Sequence, residues 1–397
     1  MVSTKQIIEQ TEKFGAHNYK PKEVVFAWAE GVIVTNPEGE NFFDMLSAYS
    51  ALNFGHRHPE IIQAAKDQLD NVTLSSRAFH NALLGEFLEK LCTLAKKDMA
   101  LPMNTGAEAV ETALKTARRW GSFVKGIEDG KQEIIVCRNN FHGRTITIIS
   151  MSTDPSARKG FGPFMTGFKT IDYGNLQQLE AAINENTVAF LIEPIQGEAG
   201  VIVPPSGFMK KAYELCKKKN VLFLADEIQT GFARTGTMFA CEYEEVIPDI
   251  YLFGKALGGG IMPMSAIVAN KDIMDVFTPG SHGSTFGGNP LACAVSIKAL
   301  EILVRDDYPK MAREKGQYFM TRLKEIKNNK IIDIRGRGLL IGVEFNCEAA
   351  VYTARLIKNG VLAKETHERT IRFAPPLVIS YEQLDDACAK IKAALED

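Results

Sequence analysis

The sequence predicts an α/β fold built on a mainly parallel sheet and joined to a second, smaller α+β domain. Three observations predict it. Short apolar runs alternate with helical patterns through the middle of the chain, the pattern changes near Leu291, and 397 residues are too many for one small core. The candidate strands of the first part are Glu133–Cys137, Thr145–Ser150, Val188–Ile192, Val221–Ala225 and Asp249–Phe253. Among them, Ala107–Trp120 and Gly207–Lys219 carry the periodicity of amphipathic helices. Beyond the change, Leu291–Leu303 and Asp307–Ile326 read as helices. Ile331–Arg335, Leu339–Phe345 and Thr370–Phe373 read as short strands, and a last helix starts near Tyr381.

Charge and motif content remove several function classes. The chain has 46 Lys+Arg against 48 Asp+Glu, a net charge of -2, which gives no electrostatic footprint for nucleic acid or an anionic membrane. No apolar run approaches the ~20 residues of a membrane span. The first residues hold no apolar stretch and the first arginine is Arg57, so the expected location is the cytoplasm. The seven cysteines are dispersed with no C-x-x-C pair, which signals neither a zinc site nor a redox motif. A Walker-type phosphate loop, a G-x-S-x-G elbow and an H-E-x-x-H zinc motif are all missing. Gly336-Arg-Gly338-Leu-Leu-Ile-Gly342 has the wrong spacing for a dinucleotide fingerprint.

In an open α/β sheet, ligands sit at the carboxyl ends of the strands. Val221–Ala225 is followed by Asp226-Glu227, Asp249–Phe253 by Gly254-Lys255, and Val188–Ile192 by Glu193-Pro194. Any one of these is ordinarily a strand ending where charge begins; the combination points further. A lysine amine forms a Schiff base with an aldehyde cofactor. A carboxylate at a neighbouring strand end keeps a pyridine nitrogen protonated, which makes the ring an electron sink. Asn104-Thr105-Gly106-Ala107 opens a helix whose free N–H groups and dipole suit a phosphate, although a plain capped helix start reads the same way. Phe141 is placed to stack on a planar ring, while His142 alone is more often a packed surface histidine than a catalyst.

The stretch Phe223-Leu-Ala-Asp-Glu-Ile-Gln-Thr-Gly-Phe-Ala-Arg-Thr-Gly236, followed by Pro248-Asp-Ile-Tyr-Leu-Phe-Gly-Lys-Ala-Leu-Gly-Gly-Gly260, resembles the class III aminotransferase signature. Within that family the chain resembles the ornithine aminotransferase group, through Gly15–Tyr19, Ser47–Ala51, Met103–Ala109, Glu193–Gly200, Gly283–Pro290 and Ile371–Leu377. The resemblance implies a fold-type I enzyme with a seven-stranded large-domain sheet and pyridoxal 5′-phosphate as cofactor. It divides the chain into an N-terminal segment 1–48 that joins the small domain, a large domain 49–290 and a small domain 291–397. It makes Lys255 the Schiff-base lysine and Asp226 the partner of the pyridine nitrogen. Gln229 faces the ring hydroxyl, Ile228 backs the ring and Phe141 stacks on it, with His142 standing where the family often has Trp. Thr105, Gly106 and Ala107 hold the phosphate and Glu193 borders the cofactor, while Ser284 and Thr285 reach the site from the second subunit of a homodimer. The implied substrates are L-ornithine and 2-oxoglutarate. Arg372 takes the carboxylate beside the reacting carbon of glutamate, and Glu198 neutralises Arg372 when ornithine is bound. Arg144 meets the distal carboxylate, Tyr19 the α-amino group of ornithine, and Tyr49 narrows the pocket. Acetylornithine and 4-aminobutyrate aminotransferases share Lys255, Asp226 and Arg372 and are the rival readings. A non-catalytic scaffold is disfavoured by the intact lysine and aspartate.

Overall fold

A seven-stranded sheet forms the centre of the computed structural model, which describes residues 2–396. Its strands are β1 (Met99–Met103), β2 (Glu133–Cys137), β3 (Phe168–Ile171), β4 (Thr187–Ile192), β5 (Leu222–Asp226), β6 (Ile250–Phe253) and β7 (Ser265–Ala269). They lie in the order β1-β7-β6-β5-β4-β2-β3. Strands β3, β2, β4, β5 and β6 run parallel, and β7 is antiparallel to both β6 and β1. Every residue of β4, β5, β6 and β7 is buried, as a sheet covered on both faces demands.

Alternation along the strands sorts most of these residues between two cores. Ile134, Val136, Leu191, Leu224 and Leu252 meet Ala109, Val110, Ala113 and Leu114 of the Gly106–Phe123 helix. Ile135, Phe190, Ile192, Phe223, Tyr251 and Phe253 point the other way into the larger core. The stretch Thr145–Ser150, expected as a strand, is instead a short helix over Ile146–Ser150. Its β-branched run invites the strand reading, but Thr145 Oγ1 accepts the N–H of Ile148 at 3.4 Å and caps a helix. The places beside β2 are taken by β3 and β4.

Two smaller sheets flank this body. Trp28–Glu30, Ile33–Thr35 and Asn41–Asp44 form an antiparallel sheet, and Val361–Leu362 adds to it parallel to Asn41–Asp44. Stretches more than three hundred residues apart in sequence therefore share one sheet. The third sheet is antiparallel, in the order Ile331–Arg337, Leu340–Phe345, Thr370–Phe373, Lys364–Thr366. The Pro290–Arg305 helix, where the sequence pattern changes, packs on the Pro59–Leu69 and Leu84–Ala95 helices. No helix among the described residues is long and apolar enough to cross a membrane.

A fully buried arginine joins these parts. Arg234 Nε and Nη2 donate to Asn53 Oδ1 at 3.2 and 2.6 Å, and Nη1 donates to the carbonyls of Leu339 and Pro375 at 3.0 and 2.6 Å. Asn53 returns a bond to the carbonyl of Phe232 at 2.8 Å. Burial pushes the guanidinium down to about 9, with Asp44 pulling it up and Arg372 down. Arg234→Met leaves three buried acceptors without their donor, at ~1–3 kcal/mol each before relaxation. The variant is expected to lose ~3 kcal/mol or more of stability in urea unfolding. Arg138→Met, which breaks only an exposed pair with Asp172, is expected to lose ~1 kcal/mol or less. Equal losses in the two variants exclude the bracing role.

Candidate active site

The carboxyl edge of the sheet gathers the charged residues that the strand ends deliver. Asp226 closes β5, Lys255 follows β6 by one residue beyond Gly254, and Glu193 follows β4. Asp226 pairs in register with Leu252, which sets the aspartate beside the end of β6. These three, with Gly106, Ala107, Phe141, His142, Glu198, Ile228 and Gln229, line one cavity of about 140 Å³. Lys255 itself adopts φ +45, a left-handed conformation that a non-glycine residue holds only where its surroundings impose it.

The carboxylates of the cavity have defined partners. Asp226 Oδ2 accepts from His142 Nδ1 at 2.6 Å, and Oδ1 accepts from the Ile228 N–H at 3.1 Å. Both oxygens are thus fixed. The Nε2 of His142, also buried, has no partner. Burial opposes a charge on His142, but the hydrogen bond and charge of Asp226, helped by Glu193, outweigh it and raise the imidazole pKa. Glu193 accepts the Phe141 N–H at 3.1 Å, and burial pushes its carboxyl up to about 8 against the pull of His142. Burial lowers the Lys255 pKa, with Glu198 opposing and Arg372 assisting.

The second half of the site is an ion pair that crosses between sheets. Arg372, buried in the Thr370–Phe373 strand, donates from Nη1 to Glu198 Oε1 at 2.7 Å. Gln229 Nε2 donates to the same oxygen at 3.1 Å. Burial raises the Glu198 carboxyl, but Arg372 and then Lys255 overcome it and hold it low. Gly197 makes the arrangement possible, because a Cβ there falls 1.6 Å from Gln229 Oε1. Tyr49 lies with its ring 5.3 Å from the Arg372 guanidinium and 5.7 Å from the Lys364 ammonium. It belongs to a run of left-handed residues, Ser47 to Ser50, with φ between 46° and 74°.

Other expected residues lie further out. Arg144 is exposed, 5.8 Å from the Phe141 ring, and lines a neighbouring cavity of about 170 Å³ together with Glu198. Thr105 caps the Gly106–Phe123 helix through Glu108, leaving the N–H groups of Gly106 and Ala107 at the cavity. Ser284 accepts from Asn104 Nδ2 at 2.9 Å, and Thr285 is exposed; neither lines the cavity of its own chain. Tyr19 is 70% exposed in a stretch without regular structure or core contacts, and the structure does not bring it to the cavity. Sequence reasoning gave Arg234, Lys364 and His367 no role. Arg234 stands inside the signature stretch, but the signals for the other two are contacts across the fold.

An aldehyde cofactor with an anionic tail and a basic ring nitrogen fits this donor set. The cavity offers two free N–H groups at a helix N-terminus, a doubly anchored carboxylate, an orphaned imidazole nitrogen and a buried lysine of lowered pKa. Fold and site together define a pyridoxal-phosphate enzyme. The class-III aminotransferase family matches residues 14–395, and the chain belongs to that family. It is 60% identical to the ornithine aminotransferase of Brevibacillus brevis, over 100% of this chain and 99% of the relative. It is 58% identical to ornithine aminotransferase 2 of Staphylococcus aureus, over 99% of each chain. Among solved structures, an ornithine aminotransferase of Toxoplasma gondii with partial occupancy of pyridoxal phosphate superposes with a TM-score of 0.98. It is 43% identical, covering 99% of this chain and 94% of that one. An acetylornithine aminotransferase of Elizabethkingia anophelis has a TM-score of 0.92 and 49% identity, covering 100% and 99%.

The raised Glu193 carboxyl predicts a pH effect. A group whose folded pKa stands above its ordinary 4.5 contributes stability that is full below that value and is lost as pH rises through about 8. Glu193→Gln in the cofactor-free protein is therefore expected to melt close to the parent near pH ~5. It should gain on the parent steadily toward pH ~9. A thermal-midpoint difference that is flat or shrinks over that range contradicts the buried, proton-holding carboxyl.

Proposed function

We propose that this chain is a cytoplasmic ornithine aminotransferase. It transfers the δ-amino group of L-ornithine to 2-oxoglutarate, giving L-glutamate 5-semialdehyde, which cyclises to pyrroline-5-carboxylate, and L-glutamate. The observation that carries the reading is the 2.7 Å Arg372–Glu198 pair on the cavity that holds Lys255. Pyridoxal 5′-phosphate, when bound, supplies the aldehyde that takes up the amino group and a protonated ring that draws electrons from the reacting carbon.

The chain's own groups divide the remaining work. Gly106 and Ala107 N–H hold the phosphate at the helix N-terminus. Ser284 and Thr285 of a second copy complete its ligands. Asp226, aligned by His142 and Ile228, keeps the proton on the ring nitrogen. Phe141 and Ile228 would wall the ring, and Gln229 would be the amide available to its hydroxyl oxygen. Lys255 Nζ, its pKa lowered by burial, would hold the aldehyde and, once released by the incoming substrate amine, would be the base placed to take the proton from the δ-carbon of ornithine. Glutamate brings a carboxylate next to its reacting carbon, and Arg372 holds it once Glu198 releases the guanidinium. Ornithine brings none there, and Glu198 keeps the buried arginine neutralised. Tyr49 narrows the pocket on the Arg372 side, and Arg144 holds the distal carboxylate.

Rapid mixing of the cofactor-loaded enzyme with ornithine, N-acetylornithine or 4-aminobutyrate tests the reading through the loss of the visible cofactor band. Ornithine is expected to react fastest, and a clear preference for either rival overturns the assignment. In the same assay, Glu198→Ala is expected to raise the ratio of glutamate to ornithine rates by ~10²-fold, since Arg372 then stands free for a carboxylate in both half-reactions. An unchanged ratio makes Glu198 a structural partner only.

A homodimer follows from the same reading. Asn81 Nδ2 bonds the Gly288 carbonyl at 3.0 Å and joins the 69–79 stretch, with exposed Leu69, Val72, Leu74 and Phe79, to the loop that carries exposed Phe286. Exposed side chains of this size on adjoining segments suit a subunit interface that delivers Ser284 and Thr285 to the partner's site. Sedimentation of the active enzyme is expected to show a dimer at nanomolar concentration, and Phe79→Glu is expected to lower both dimer content and activity. Full activity from a monomer removes the cross-subunit role.

A further inference from the structure

We propose that His367 is a substrate-binding residue whose imidazole joins Arg144 in holding the carboxylate at the non-reacting end of both substrates. This rests on the ornithine and 2-oxoglutarate reading above. The strands Lys364–Thr366 and Thr370–Phe373 form a hairpin in which Thr366 faces Thr370 and Lys364 faces Arg372. Its turn is the three-residue stretch His367-Glu368-Arg369, whose first two residues are left-handed at φ +51 and +62. Histidine is among the few non-glycine residues enriched in that region.

The turn is held at the active site. Thr366 Oγ1 donates to the backbone carbonyl of Glu198, and the Ala349 N–H donates to the Glu368 carbonyl at 2.9 Å. The hairpin that carries Arg372 to the reacting end thereby carries His367 to the other end. There His367 lines the cavity of about 170 Å³ with Arg144 and Glu198. Phe141, His142, Gly143 and Glu198 border this cavity and the Lys255 cavity alike, so the two adjoin.

The carboxylates on the outer cavity are already engaged, Glu198 by Arg372 and Asp154 by the N–H and hydroxyl of Ser156. The His367 ring makes no hydrogen bond among the described residues. An imidazole in either tautomer keeps at least one N–H to donate. A guanidinium and an imidazole on one small cavity suit a single carboxylate. Ornithine presents its α-carboxylate there and 2-oxoglutarate its far carboxylate.

The test uses His367→Asn, which keeps a residue tolerant of the turn but shortens its reach, and His367→Gly, which relaxes the turn and removes the side chain. Cofactor-loaded wild type and variants are compared in steady-state turnover and in calorimetric binding of glutarate, an inert five-carbon dicarboxylate. In both variants KM for ornithine and for 2-oxoglutarate is expected to rise about tenfold with kcat within about twofold, and glutarate binding to weaken about tenfold. If the Asn variant does not fold, the Gly variant is read the same way. KM and glutarate affinity within about twofold of wild type overturn the proposal, as does a fall in kcat with KM unchanged. If wild type turns over no ornithine, the function reading fails, and glutarate binding still decides for or against His367.

Discussion

The guanidinium of Arg234 holds together the stretches of chain from which the active site is drawn. It is fully buried, and its charge is met by Asn53 Oδ1 and two backbone carbonyls rather than by a paired carboxylate. An arginine in that setting stabilises a geometry more than it stabilises the fold, because its desolvation offsets much of what its hydrogen bonds return. The geometry is the crossing of the large sheet with the C-terminal sheet. Leu339 precedes one strand of that sheet and Pro375 follows the strand that bears Arg372. With those carbonyls fixed to Arg234, inside the signature stretch that starts at Phe223, Arg372 can meet Glu198 across the junction.

Much of this was legible in the sequence, for a physical reason. Strands buried on both faces must be apolar throughout, so Val188–Ile192 and Val221–Ala225 announced themselves, and the charged residues that ended them marked the ligand edge. Lys255 and Asp226 were readable because their place after a strand is itself the signal. Other elements carried no such mark. β1 contains Pro102, and β7, Ser265-Ala-Ile-Val-Ala269, has only two β-branched residues among three small ones, so neither stands out by composition. Thr145–Ser150 misled because β-branching favours a strand, and only the cap and the burial on one side decide for a helix. The His142–Asp226 bond joins residues 84 positions apart, and Arg234 reaches Pro375 across 141. No local pattern encodes such contacts.

The site holds its charges in balance. Three carboxylates, Glu193, Glu198 and Asp226, share the cavity with His142, Lys255 and the Arg372 guanidinium that pairs Glu198. Burial pushes Glu193 and Glu198 toward the neutral form, and their neighbours set how far each one goes. Glu198, next to Arg372 and Lys255, is held low, while Glu193, next to Asp226 and Glu198, stays high. Two glutamates five residues apart on one loop are thereby given different protonation behaviour by position alone. One is kept as an anion that competes for an arginine, and the other as a proton-holding wall.

In the reaction proposed above, that balance would let one cavity admit substrates of different charge. In the proposed reaction a carboxylate arriving at Arg372 would not meet a bare cation; it would displace Glu198, which has Gln229 Nε2 at 3.1 Å and Lys255 nearby to receive it. The exchange swaps one carboxylate for another at the same guanidinium, so the net charge facing Arg372 is nearly constant, and the cost of desolvation is shared by both substrates. A neutral amine end leaves the pair closed. In that proposed reading, discrimination would rest on Glu198 either pairing Arg372 or releasing it to a carboxylate.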